Sequence, residues 1–139
     1  MITKISKVIQ YSVFLVNEPG SLEKFSKMIA DAGLDIVGIS SDVRYESAVV
    51  KFVIAGEKEI NLTSLIAKNG YTAIRTDAIC IQAKNKVGFF FQLSKLLGEK
   101  KININNIYSA AVEDTQARIF LVVDDLEKAE QACIHYDRP

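Results

Sequence analysis

Asn17–Ile36 reads NEPGSLEKFSKMIADAGLDI, and Asn85–Ile104 reads NKVGFFFQLSKLLGEKKINI. The two stretches stand 68 residues apart and align position by position. Asn17 falls on Asn85, Gly20 on Gly88, Ser26-Lys27 on Ser94-Lys95 and Ile36 on Ile104. The apolar positions agree as well: Phe25 with Leu93, Met28 with Leu96, Ile29 with Leu97 and Leu34 with Ile102. Carried outward, Ile39 meets Ile107, Ser41 meets Ser109 and Phe52 meets Phe120, so the repeat is expected to run ungapped from Tyr11 to Ile54. An internal repeat of this length decides the architecture before any local reading does.

Each copy carries the same succession of patterns. An apolar segment rich in β-branched residues, Lys7–Val16 or Ala78–Lys84, predicts a strand. A turn with Gly20 or Gly88 follows. Leu22, Phe25, Ile29 and Ala32 then recur at helical spacing, as do Phe90, Leu93, Leu96 and Leu97. Asn17, Pro19 and Ser21 are helix-start signals and Gly33 is a stop. Two strands joined by a short polar turn come next, Asp35–Arg44 with Ala48–Ala55, and Asn103–Val112 with Gln116–Val123. Second helices are predicted over Ile60–Lys68 and Leu126–Ile134, and Tyr71–Arg75 closes the first copy as a fourth strand.

The order β-α-β-β-α-β is that of the ferredoxin-like unit, an α+β class with helices on one face of an antiparallel sheet. The expected division is 1–76 for the first unit and 77–139 for the second. Tyr71 falls on Pro139, so the second copy is expected to lack its last strand. The exposed edge then needs cover from the N-terminal segment, a partner subunit or its own twist.

Composition narrows the function. The 139 residues carry 17 Lys+Arg against 17 Asp+Glu, with 49% hydrophobic residues. Zero net charge argues against a nucleic-acid surface, so no nucleic-acid partner is expected. No segment reaches the roughly 20 apolar residues of a membrane span, and residues 1–10 lack the apolar run of a secretory signal. No membrane partner is expected. Cys80 and Cys133 are unpaired in the pattern and read as buried small hydrophobes, which suits a reducing cytoplasm. The single His135 near the C-terminus reads as surface. Nucleophile elbows and phosphate-cradling glycine loops are missing, so no enzyme, metal or cofactor is expected.

The segment Asn17–Leu22 followed by Ala32–Ile36 resembles the ACT domain, and Asn85–Phe89 with Lys101–Ile104 is a looser second match. The chain as a whole resembles the stand-alone tandem ACT proteins of bacteria. That resemblance implies a non-catalytic regulatory module binding a small ligand, an amino acid, at the interface between ACT units. It also implies a homodimer and a protein target acted on through changed packing or oligomerisation. The serine-sensing ACT unit of phosphoglycerate dehydrogenase is similar in its loop. Its ligand residues carry over to Asn17 and Asp35 in the first copy, and to Asn85 and Asn103 in the second.

General chemistry gives those positions a reason. Backbone N–H groups at a helix start suit a carboxylate, and Gly allows close approach. Pro19, Gly20 and Ser21, and Gly88 and Phe89, are the residues so placed. The oxygens of Asp35 and Asn103 suit an ammonium group. Simpler readings stand beside these. Asn17 and Asn85 also suit helix capping, Asp35 and Asn103 also suit surface strand starts, and Asn105-Asn106, in place of Val37-Gly38, suit either ligand contact or plain surface. Phe89–Phe91 reads as core plus one interface side chain. In the first strand Tyr11, Val13 and Leu15 are expected to face the helices, leaving Phe14 and Val16 on the open face, to be covered by another subunit. An assembly module without ligand and a single-stranded RNA binder are the alternatives. The third strand, Ala48–Val53, lacks the RNA-recognition aromatic motif.

Overall fold

The computed structural model describes residues 2–55, 62–113 and 115–136. In chain order these form β1 (Ile2–Val16), α1 (Ser21–Asp31), β2 (Ile36–Arg44), β3 (Ser47–Ile54), α2 (Leu62–Lys68), β4 (Ala73–Lys84), α3 (Phe89–Glu99), β5 (Ile104–Glu113), β6 (Gln116–Val123) and α4 (Leu126–Ile134). The class is α+β with antiparallel strand pairs. The expected helix start Ile60, the turn residue Asp114 and the terminal Pro139 lie outside the described residues.

The chain divides into two compact units, Ile9–Thr76 and Met1–Val8 with Asp77–Pro139. In the first, the strand order is β2-β3-β1-β4. Tyr11 pairs with Phe52, Val13 with Val50 and Leu15 with Ala48. Alternation along β1 and β3 turns all six side chains toward the helices, where they pack with Phe25, Ile29, Leu62 and Ile66. Phe25 meets Phe52 and Tyr71 edge-on, at 5.5 and 5.2 Å between ring centres. The same alternation leaves Phe14 44% and Val16 63% exposed. Gly33 ends α1 in a left-handed conformation (φ 76°), donating to Ala30 while the Leu34 N–H donates to Ile29. Leu34 then packs on the core, the usual companion of this helix ending. Lys101 fills the matching position after α3 with φ 59°.

In the second unit Ile79, Ile81 and Ala83 of β4 pair with Leu121, Ile119 and Ala117 of β6. All but Ala117 are core residues, packed with Phe89, Leu93, Leu97, Ala129 and Cys133. The N-terminal residues complete this unit. Ile2 and Ile5 pack against its core. Thr3 Oγ1 donates to the Gln82 carbonyl at 3.2 Å. Lys7 reaches Glu130 of α4 at 3.9 Å. Of the three ways to cover the edge of β4, the molecule uses its own N-terminal segment. The first strand therefore begins at Ile2 rather than Lys7, and the two strands expected over Tyr71–Lys84 are one, Ala73–Lys84.

The repeat is ungapped only through β2 and β5. Tyr11 pairs with Phe52, whereas its counterpart Ile79 pairs with Leu121, one residue beyond Phe120. A register shift between Ala111 and Glu113 puts one extra residue into β5. The match of Phe52 to Phe120 is thus a coincidence of identity. Phe120 pairs with Cys80 and points away from α3 and α4, stacking on Tyr108 at 5.3 Å with planes 25° apart. Burial there raises the Tyr108 hydroxyl and the Cys80 thiol above their ordinary ranges.

Candidate functional site

The two glycine loops are built alike. Asn17 ends β1, its N–H donating to the Glu46 carbonyl at 2.9 Å; Asn85 ends β4, donating to Thr115 at 2.8 Å. Three residues on, Gly20 and Gly88 hold the N-cap positions of α1 and α3 with φ of 88° and 87°. A Cβ at either would meet nothing within 4 Å, so glycine is required by the backbone rather than by space. Neither helix receives a side-chain cap. Asn17 and Asn85 are therefore not helix caps, and the N–H groups of each first turn have no capping side chain. Such a helix start can take a carboxylate. By contrast α4 is capped by Asp125, which accepts from the Lys128 N–H at 3.1 Å.

Around these loops Asn17, Pro19, Asn85 and Gly88 are exposed, and Ser21 is half-buried at the first position of α1. Phe89 is buried, its ring edge-on to Tyr136 at 6.3 Å. Its side chain therefore belongs to the core, and only its backbone serves the loop. Leu22 and Phe90, expected in the apolar stripes, are instead 43% and 47% exposed, and Phe91 is 65% exposed.

The strand starts differ between units. Asp35 is exposed, and its carbonyl accepts from Ala55 at 2.8 Å. Asn103 sits in a denser polar setting. Its N–H donates to Asp124 Oδ1 at 3.0 Å, its carbonyl accepts from the Asp124 N–H at 3.2 Å, and its Nδ2 donates to Asn105 Oδ1 at 2.8 Å. In the corrected register Val37 and Ala55 occupy the positions of Asn105 and Asp124. Sequence reasoning missed Asp124, because a shift of 68 sets it against Gly56; the extra residue in β5 is the signal that finds it.

Within one unit the loop and the strand start are far apart. Val16 pairs with Ser47 and Ser47 with Arg44, so the Asn17 loop lies beside the end of β2. Asp35 precedes the beginning of β2. The eight steps from Ile36 to Arg44 rise about 26 Å at ~3.3 Å each. Lys84, Gln116 and Glu113 repeat the arrangement for Asn85 and Asn103. The structure does not bring Asn17 to Asp35, or Asn85 to Asn103, within a unit.

Among the described residues no three His, Cys, Asp or Glu side chains gather as a metal site requires. No described helix is long and apolar enough to cross a membrane. No family model and no curated protein matches the sequence. Solved structures do match. Protein BT0572 from Bacteroides thetaiotaomicron superposes with a TM-score of 0.84 at 16% identity, over 96% of this chain and 90% of that one. The ligand-free regulatory subunit of aspartate kinase from Thermus thermophilus gives 0.71 at 14% identity, over 99% and 100%. The aspartate kinase of Clostridium acetobutylicum gives 0.64 at 16% identity, over 97% of this chain and 34% of that enzyme. The chain thus shares its α+β fold with the regulatory subunit of aspartate kinase from Thermus thermophilus over 99% of its length.

Proposed function

We propose that the chain is a non-catalytic regulatory module of two ACT units. In this reading it binds a free amino acid and signals by changed packing or oligomerisation. The observation that carries the reading is the duplicated loop: two helix starts without a capping side chain, each behind a left-handed glycine and an exposed Asn. Its fold matches a regulatory subunit over the whole of both chains. A free amino acid offers one carboxylate and one ammonium, and the loop supplies donors while the strand starts supply acceptors. Because these lie at opposite ends of a unit, a ligand touching both takes the loop from one copy of the chain and the strand start from a second copy. Such a ligand favours one assembly over another and so couples binding to signal. The exposed Phe14 and Val16 suit a homodimer.

A thermal-shift panel of the twenty L-amino acids tests this. A ligand at a hundred times its dissociation constant stabilises by about 2.7 kcal/mol. One amino acid, or a chemically related few, is expected to raise the melting temperature, and Asn17→Ala or Asn103→Ala to remove the shift. A panel with no shift refutes amino-acid binding and leaves the assembly module. A shift with short RNA instead favours the RNA-binding alternative.

A further inference from the structure

We infer that Asn105 is a positioning residue for ligand binding at the start of β5: it holds the Asn103 amide so that its oxygen faces the ligand. The inference rests on the amino-acid-binding reading above. A primary amide has two donors on one end and an acceptor on the other, and an unrestrained Asn presents either. Here Asn103 Nδ2 is committed to Asn105 Oδ1 at 2.8 Å. The backbone of Asn103 is pinned on both sides by Asp124. With the main chain held and one amide N–H engaged by Asn105, Oδ1 is turned to the opposite side, where it can take only a donor such as an ammonium group, while the second Nδ2 hydrogen stays a donor beside it.

The backbone explains how Asn105 comes to be there. The pairing of β5 with β6 shifts between Ile104 and Asn106, which leaves Asn105 as the extra residue of a bulge. Bulges re-aim side chains. β2 has the same shift between Ile36 and Gly38, but the residue there is Val37, which cannot accept a hydrogen bond. The two units thus share the bulge, and only one puts a polar side chain on it.

The test uses the full chain with Asn105→Leu, Asn105→Asp and Asn103→Ala. Titration calorimetry is run with each of the twenty L-amino acids. Asn105→Leu frees the Asn103 side chain and is expected to weaken binding about five- to ten-fold, the cost of fixing one rotamer-rich side chain on association. Asn105→Asp, which can only accept from Nδ2, is expected to restore wild-type affinity. A nuclear magnetic resonance spectrum of the ligand-free variants reads the lock directly. The Asn103 side-chain amide signal is expected to move in Asn105→Leu and to stay in Asn105→Asp. Wild-type affinity in Asn105→Leu overturns the inference alone. So does equal weakening by Asp and Leu, since the amide would then face the other way. No binding of any amino acid to the wild type overturns the parent reading and this inference with it.

Discussion

Replacing Ile5 with Ala tests whether the first residues are a working strand of the second unit. Ile5 packs on the core around Ile79, Leu93 and Leu121, while its neighbour Lys4 is exposed. The change removes three carbons. At ~0.8 kcal/mol per fully buried carbon and about three-quarters burial, the transfer loss is about 1.8 kcal/mol. Partial collapse of the space left brings the expected cost to about 1–2 kcal/mol, below the 2–5 of a fully buried site. Lys4→Ala, on the other face of the same strand, is expected to stay within about 0.5 kcal/mol. Equilibrium urea denaturation reads both: the Ile5→Ala midpoint should fall by about 0.5–1 M with unchanged slope, and Lys4→Ala should not move it. Equal midpoints for the two variants would refute the reasoning, because a segment that takes no part in the fold does not distinguish its two faces.

Asn17→Ala should leave stability within about 0.5 kcal/mol, whereas Asp125→Ala should cost about 1 kcal/mol, since Asp125 caps a helix and Asn17 does not; urea midpoints compare them. Lys101→Gly should stabilise by about 0.5–1 kcal/mol, because Lys101 holds a left-handed φ of 59° that glycine adopts freely; a loss of stability would mean that its side chain matters more than its backbone. Burial pushes the Cys133 thiol up to about 11 from 9.0. The folded chain then keeps a proton that the unfolded chain gives up. Stability from this group is complete below about pH 9 and falls as pH rises through 11, a decline that Cys133→Ala should make shallower in pH-dependent urea titrations.

The core of the first unit was readable because Val13, Leu15, Phe25 and Ile29 obey strand and helix periods without interruption. The start of β1 was not, because Lys4, Ser6 and Lys7 between isoleucines look like a polar tail until β4 is there to pair with. In α3 the expected Leu93, Leu96 and Leu97 face the core, but the first member of the stripe is Phe89 and not Phe90: with three phenylalanines in a row periodicity cannot choose between them, and packing against Tyr136 does. Phe120 misled because identity carries no face; one extra residue in β5 turns every following side chain of β6 over. Asp35 and Asn103 are assigned by position in the repeat, whereas Asp124 and the coupling of Asn103 to Asn105 depend on strand pairing that no local pattern contains.

The proposed function is amino-acid recognition by a helix-start loop together with a strand start. Calorimetric titration of the full chain with each of the twenty L-amino acids measures it most directly. Saturable binding of one amino acid or a related few is expected, removed by Asn103→Ala or by Asn17→Ala. Saturable binding that survives both substitutions, or no binding of any of the twenty, would contradict it.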